Sequence, residues 1–161
     1  ILHTGKLGTA SDLKVMTNFL ATTHLLACCE ALTVMKAKDI DLKTTFEAIR
    51  ISSGNSFVHE TESQVILNGS RDINFTLGLV LKDIGIFQKM AESNNVQLDL
   101  SPLINRIIKN GVTKLGAQAN SPSIIELLEK STGLKILSSG FPEKITDLEP
   151  ESFGYEIKSG L

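Results

Sequence analysis

Three scarce features of this 161-residue chain exclude several classes of protein. Cysteine occurs only at positions 28 and 29, which are adjacent and therefore cannot form an unstrained disulfide within a helix. Basic charge is not in excess: 16 Lys and Arg face 18 Asp and Glu, and a net charge of −2 offers no surface for nucleic acid or an anionic membrane. No uninterrupted apolar run approaches the roughly 18 residues of a membrane span, and no secretory signal pattern opens the chain. We therefore expect a reducing compartment, the cytoplasm or an organelle matrix.

Candidate metal ligands are also few. His24 lies four residues before Cys28, a spacing that would place both side chains on one face of a helix. Two cysteines cannot build a structural zinc site without histidines at ligand spacing. We therefore expect Cys28 to fill a small apolar helix position, and we expect no metal site.

The composition is that of one globular domain, with 42% apolar and 21% charged residues. Apolar residues recur at helical spacing in six segments, and the first segment, Leu13 to Met35, is apolar around most of the helix. Only Val96 to Leu100 hints at a strand. The sequence therefore predicts an all-α bundle around a central first helix of more than about 20 residues.

Short polar residues and glycines mark the predicted helix boundaries. The candidate N-terminal caps are Thr9 or Ser11, Asp39 or Asp41, Ser101 before Pro102, and Ser121 before Pro122. Gly78 and Gly85 lie seven residues apart inside the fourth predicted helix. Each costs about 1 kcal/mol relative to alanine, a cost that close packing against another helix could offset.

A loop with Gly5 and Gly8 leads into the first helix, whose first two turns carry Lys14 and Asn18. Residues four apart on a helix share one face. A cationic proton donor beside a neutral amide, next to a flexible loop, is suited to handling a substrate oxygen. The same spacing is common on ordinary solvated helix faces, so the pair alone decides nothing.

Two motifs together are more specific. The segment from Gly5 to Asn18 resembles the signature G-x-x-G-x-G-x-x-x-K-x-x-x-N of the β-hydroxyacid dehydrogenase (3-hydroxyisobutyrate dehydrogenase-like) family, with Ala10 at the third glycine. The block Phe75-Thr-Leu-Gly-Leu-Val-Leu-Lys-Asp-Ile84 resembles the family's F-x-x-x-L-x-x-K-D-L motif. The resemblance covers residues 1–136 and implies the helical bundle of the 6-phosphogluconate dehydrogenase C-terminal-like domain, without the Rossmann domain.

The resemblance also implies roles for individual residues. Lys14 would be the catalytic proton donor or acceptor, and Asn18 would orient the substrate. The other matching positions would serve the substrate side (Gly5, Gly8, Phe75) or the cofactor side (Lys82, Asp83). From the residues alone, Lys82 and Asp83 could equally be an exposed helix pair, and Phe75 could be a core aromatic.

The implied cofactor is NAD or NADP. The family places a Rossmann domain before the helical domain, and no G-x-G-x-x-G follows a strand in this chain. The cofactor would therefore be bound mainly by that absent N-terminal domain, and this chain alone is expected to be inactive. The implied partners are a small hydroxy acid or semialdehyde and a second copy of the chain in a homodimer. The substrate and the choice between NAD and NADP remain open.

Residues 1–137 are the predicted helical domain for substrate binding and dimerisation. Residues 138–161 are acidic and punctuated by proline, which predicts an arm or linker. The opening Ile1 to Thr4 is typical of the end of an extended segment, so we expect a longer parent protein. One alternative is a catalytically silent structural or dimerisation module of a multidomain protein. A weaker one is a generic helical interaction domain with coincidental motifs.

Overall fold

The computed structural model describes residues 4–145, and within this range the chain is all-α, as predicted. A single bridge between Thr76 and Asn120 is the only β-type pairing among these residues. The helices are α1 Thr9–Ala37, α2 Leu42–Arg50, α3 Phe57–Leu67, α4 Leu77–Ser93, α5 Leu100–Leu115 and α6 Ile125–Thr132, with a short 3-10 helix at Ser121–Ile124. The expected extended start (apart from Thr4) and the arm from residue 146 onward lie outside the described residues.

The 29-residue helix α1 is the axis of the bundle and contacts each of the other five helices. By length and composition α1 could also cross a membrane, since its best window has a mean hydropathy of 1.2. Leu25, Cys29 and Leu32 on α1 are at most 2% exposed and belong to one core cluster with the other helices. We therefore assign α1 as the core helix of the bundle.

The core contains fully buried aliphatic side chains from α1, α3, α4, α5 and α6. Burial of these side chains is the main favourable term that holds the helices together. The core side chains with no measurable exposure include Leu32 of α1, Ile66 of α3, Leu77 and Ile84 of α4, Ile108 of α5, Ile125 of α6 and Ile136, which follows α6.

Asp41 caps α2 as predicted, because its side chain accepts a 2.7 Å hydrogen bond from the backbone N–H of Thr44. The predicted cap of α1 is wrong. Gly8 occupies the N-cap position without a side-chain hydrogen bond. The hydroxyl of Thr9 instead donates to the carbonyl oxygens of Thr4 and Lys6, so it braces the loop before the helix.

The two predicted serine caps before proline are also wrong. Helix α5 begins at Leu100, two residues earlier than the expected start at Pro102, so Ser101 lies inside the first turn and is 1% exposed. Pro102 fits there because the N–H groups of a first turn have no partner within the helix. The hydroxyl of Ser121 donates to Glu62 and accepts no hydrogen bond from the N–H groups of its own helix. Ser121 is the first residue of the 3-10 helix that precedes α6.

Val96 to Leu100 is not a strand. It links α4 to α5 and runs into the first residue of α5, and no strand lies beside it among residues 4–145. The expected packing of the two α4 glycines against another helix is wrong as well. Gly78 meets the turn after α5, where its N–H donates to the carbonyl of Ala117 at 2.9 Å. A Cβ atom on Gly85 would have nothing within 4 Å.

The first residues beyond position 137 contact the helical domain. The N–H of Ser138 donates to the carbonyl of Leu67 at 2.9 Å. The ring of Phe141 packs edge-on against Phe46 of α2, with centroids 5.1 Å apart. The predicted boundary between domain and arm stays a prediction, because most of the arm lies outside the described range.

Candidate functional site

The loop before α1 requires glycine at two of its positions. Gly5 and Gly8 have φ angles of 103° and 100°, a region in which other residues are strained. The carbonyl of Gly8 accepts hydrogen bonds from the N–H groups of Ser11 and Asp12 and so starts the helix. Ala10 lies within α1 and has no positive φ, so alanine satisfies the backbone at this motif position.

Lys14 and Asn18 of α1 both reach one carboxylate, Asp83 of α4. The Nζ atom of Lys14 lies 3.4 Å from Oδ2 of Asp83, and Nδ2 of Asn18 donates to the same oxygen at 2.6 Å. The Nζ atom of Lys82 lies 3.3 Å from Oδ1. The structure thus joins the polar residues of the two motifs in one cluster, which we call the Asp83 cluster (Lys14, Asn18, Lys82 and Asp83).

Asp83 is the buried centre of this cluster. It is 4% exposed, whereas the side chains of Lys14 and Lys82 are 65% and 58% exposed. Burial by itself raises the pKa of Asp83, but the hydrogen bond from Asn18 and the two lysines outweigh it, so the pKa lies below its ordinary value. Asp83 is therefore ionised at neutral pH and attracts both ammonium groups.

A stacked aromatic pair holds α1 and α4 together beside the cluster. The rings of Phe19 and Phe87 are nearly parallel, with an interplanar angle of 8° and centroids 4.3 Å apart. Phe19 directly follows Asn18, so the stack fixes α1 against α4 where the two helices share Asp83. This pair was not predicted from the sequence, although Phe87 lies on the same inward face of α4 as Val80 and Ile84.

Phe75 lies just before α4, eight residues before Asp83 in the chain. Its side chain is partly buried against the hydrophobic core, and its carbonyl accepts a 2.7 Å hydrogen bond from the N–H of Ser121. This packing is that of a core aromatic. A role for Phe75 in lining a substrate site stays a prediction.

Exposed apolar side chains flank the Asp83 cluster on both helices. Leu13 and Leu20 of α1 are 41% and 44% exposed and lie seven residues apart on one face. Leu79 and Ile86 of α4 are 42% and 39% exposed and lie one turn to either side of Asp83. Apolar surface around a polar centre is typical of a face that packs against another protein surface.

A second buried polar cluster lies around Cys28, about 21 Å along the axis of α1 from Lys14. His59 of α3 is fully buried, and its Nε2–H donates to the carbonyl of Phe46 at 2.9 Å. Its Nδ1 atom lies 3.2 Å from the hydroxyl of Ser63 and 3.9 Å from the sulfur of Cys28. Burial lowers the pKa of His59. Both ring nitrogens have protein partners, so this cluster is structural.

The chemistry that the Asp83 cluster can perform follows from its exposure. The ammonium group of Lys14 is exposed to solvent and forms an ion pair with the buried carboxylate of Asp83. Asn18 adds a neutral carboxamide one turn away on the same face. An oxygen atom placed above the pair could accept both a hydrogen bond and a proton. No group of three metal-ligating side chains occurs in the part of the chain that the structure describes.

A family model and a curated relative both match this chain, and both describe hydroxy-acid dehydrogenases. The model of the family described as "NAD-binding of NADP-dependent 3-hydroxyisobutyrate dehydrogenase" matches residues 8–128. An L-threonate dehydrogenase from Cupriavidus necator is 23% identical over 120 residues, which are 74% of this chain and 40% of that enzyme.

Two solved structures share the fold. A 3-hydroxyisobutyrate dehydrogenase from Salmonella typhimurium matches with a TM-score of 0.69 and 20% identity over 74% of this chain and 42% of that one. A 3-hydroxyisobutyrate dehydrogenase from Mycobacterium tuberculosis with L-serine matches with a TM-score of 0.72 and 20% identity over 78% and 45%. The chain spans less than half of the length of each of these relatives.

Proposed function

The chain belongs to the family of the NAD-binding domain of NADP-dependent 3-hydroxyisobutyrate dehydrogenase, and from this premise we propose that it is the helical domain of an NAD(P)-dependent oxidoreductase. Its substrate would be a small β-hydroxy acid or the matching aldehyde or keto acid. The observation that carries the proposal is the convergence of Lys14 and Asn18 on buried Asp83, since it joins the two family motifs across 65 residues.

Lys14 is the proposed proton donor and acceptor. In the direction of reduction, the carbonyl carbon of the substrate gains a hydride and its oxygen takes a proton from Nζ of Lys14, which gives the alcohol. In the direction of oxidation, Nζ takes the hydroxyl proton back. Asn18 would hydrogen-bond the same oxygen or a neighbouring carboxylate and so orient the substrate.

Asp83 would act through Lys14 rather than on the substrate. The carboxylate is buried and bonded to Asn18, so it cannot move far without breaking a 2.6 Å hydrogen bond. Its ion pair with Lys14 limits the positions of the ammonium group. We therefore propose Asp83 as the positioning residue of the proton donor, a finer role than the cofactor contact that the motif implies.

The residues present fit a nicotinamide cofactor at one edge of the site. Lys82 is largely exposed beside Asp83 and could donate hydrogen bonds to the cofactor's ribose or carboxamide. When bound, the cofactor supplies or accepts the hydride. The apolar side chains around the cluster, such as Leu79 and Ile86, would pack against the part of the protein that holds most of the cofactor.

The test is a substrate and cofactor screen on the full-length protein. We expect oxidation of a small β-hydroxy acid, with 3-hydroxyisobutyrate and L-threonate as first probes, followed by the absorbance of NADH or NADPH. Lys14→Ala should abolish the turnover, and Lys109→Ala, an exposed lysine of α5, is the matched control. If no hydroxy acid is turned over with either nucleotide, the proposal is overturned in favour of a catalytically silent structural module.

A further inference from the structure

Two phenylalanine rings join α1 and α4 immediately beside the Asp83 cluster. Phe19 directly follows Asn18, and Phe87 lies four residues after Asp83, about one turn further along α4. The two ring planes are 8° from parallel and their centroids are 4.3 Å apart, so the rings are stacked in direct contact. Both side chains are partly buried. The stack therefore fills the space between the two helices next to the polar contacts of Asp83.

Those polar contacts tolerate little movement of one helix against the other. Nδ2 of Asn18 lies 2.6 Å from Oδ2 of Asp83, and a displacement of about 1 Å would take it out of hydrogen-bond range. Nζ of Lys14 lies 3.4 Å from the same oxygen. Because the side chain of Lys14 is 65% exposed, its own packing does not fix the ammonium group. The position of that group depends on where α4 holds the carboxylate.

We propose that Phe19 and Phe87 are positioning residues of the proton donor, because their stack sets the spacing of α1 and α4 at which one carboxylate reaches both polar residues of α1. An aromatic ring is a flat, rigid body, whereas leucine in its place is smaller and leaves part of the space empty. The rings act through Asp83 and touch neither substrate nor cofactor. This assignment rests on the proposed function of Lys14 and extends it to the apolar contact that supports the cluster.

Steady-state kinetics of the full-length protein supply the first test. Phe19→Leu and Phe87→Leu should each lower kcat about tenfold or more with little change in KM, because a displacement of about 1 Å misplaces the donor rather than the substrate. Both variants should also change the pH–rate profile. Phe141→Leu is the matched control, since it removes the edge-on contact with Phe46 of α2. It should lower the melting temperature and leave kcat and the pH–rate profile as in the parent.

A double-mutant cycle tests whether the rings act through Asp83. In the Asp83→Asn background, Phe87→Leu should lower kcat by less than about threefold, because the charge that the ring positions is already gone. Independent effects would multiply instead. Losses that multiply in the cycle, or a parental kcat in Phe87→Leu, would overturn the proposal.

A further measurement does not depend on turnover. In NMR spectra of the full-length protein, the side-chain amide signals of Asn18 report its hydrogen bond to the carboxylate. These signals should move in Phe87→Leu and stay in place in Phe141→Leu. Signals that stay in place in Phe87→Leu would show that the stack is only structural and would overturn the proposal. If no hydroxy acid is turned over but the Asn18 signals move as expected, the proposed function fails while the positioning of the Asp83 cluster by the two rings stands.

Discussion

The side-chain amide of Asn18 donates a 2.6 Å hydrogen bond to Oδ2 of Asp83, the oxygen that also lies 3.4 Å from Nζ of Lys14. One buried oxygen therefore connects two residues of α1 to α4. Because Asp83 is only 4% exposed, loss of its charge would leave two lysines without their common partner and would give the partly buried amide of Asn18 a weaker acceptor. The site and the α1–α4 packing thus depend on the same carboxylate.

The first prediction concerns Asp83→Asn. The asparagine has the same shape but no charge, so it can still accept from Asn18 while it loses both ion pairs. We expect kcat of the full-length protein to fall about tenfold or more with little change in KM, since the variant displaces the proton donor rather than the substrate. Steady-state kinetics across a pH range should also show a changed pH–rate profile, which a purely structural role would not produce.

Asp72→Asn is the control for this variant, because Asp72 is exposed and outside the cluster. It should leave both kcat and the pH–rate profile unchanged. A fully active Asp83→Asn protein with a parental profile would show that Asp83 does not position Lys14.

The second prediction is a loss of stability in mild acid through His59. Burial lowers the pKa of His59 below its ordinary 6.5, so the unfolded chain binds the proton more readily than the folded one. The free energy of unfolding should be unaffected by this group above pH 6.5 and should fall as the pH drops from 6.5 through the lower folded pKa. Urea unfolding at several pH values should show a weaker pH dependence in His59→Gln than in the parent. His24→Gln, at an exposed position, should behave as the parent does.

The third prediction has the opposite sign and concerns Glu62. Burial raises the pKa of Glu62 from 4.5 to about 7, although Ser121 donates a hydrogen bond to it. The folded state therefore holds a proton that the unfolded state has lost, and stability declines as the pH rises from 4.5 through 7. Glu62→Gln should match the parent at pH 4 and exceed it by roughly 3 kcal/mol at pH 8. Equal stabilities at pH 8 in urea titrations would refute this; Glu60→Gln, exposed on the same helix, is the control.

The fourth prediction compares the two glycines of α4. A Cβ on Gly85 meets no atom within 4 Å, so Gly85→Ala should raise the free energy of unfolding by about 0.5–1 kcal/mol through helix propensity alone. A Cβ on Gly78 would lie 3.0 Å from the carbonyl oxygen of Ala117, to which Gly78 is already hydrogen-bonded. Gly78→Ala should therefore be destabilising by about 1 kcal/mol or more. Thermal melts in which both substitutions change stability in the same direction would contradict the close contact of Gly78 with Ala117 and the open space beside Gly85.

The helices were predictable because their signals are local. Apolar spacing and flanking turn residues place α3 at Phe57–Leu67, as the structure has it, and Asp41 caps α2 through its own first turn. The wrong predictions concern segments whose structure depends on residues far away in the chain. Ser121 bonds to Glu62 across 59 residues instead of capping its helix, and Val96 to Leu100 has no neighbouring strand among residues 4–145 with which to pair.

The candidate site also has a part that is local in the sequence and a part that depends on tertiary packing. The spacing of Lys14 and Asn18 lies within one helix and is visible in the sequence. Their meeting with Asp83 depends on how α1 packs against α4, which no local pattern contains; only the resemblance of both segments to one family suggested that they work together. A signal for the burial of Asp83 did exist, because it lies three residues after Val80 and next to Ile84, on the inward side of α4.

The last prediction is that Lys14→Ala abolishes turnover in the full-length protein without unfolding it. Lys14 is 65% exposed in the second turn of α1, and alanine is the better helix former, so the melting temperature should change little. The loss should fall mainly on kcat, by roughly 10²-fold or more, because the proton is needed in the transition state rather than for substrate binding. Lys14→Arg keeps the charge near Asp83 and so retains the ion pair, but a guanidinium does not give up its proton near neutral pH, so this variant should be inactive as well. The two variants together separate charge from proton transfer. If arginine restored activity, Lys14 would serve only as a fixed positive charge, and if alanine kept most of kcat, the exposed lysine would have no part in the reaction.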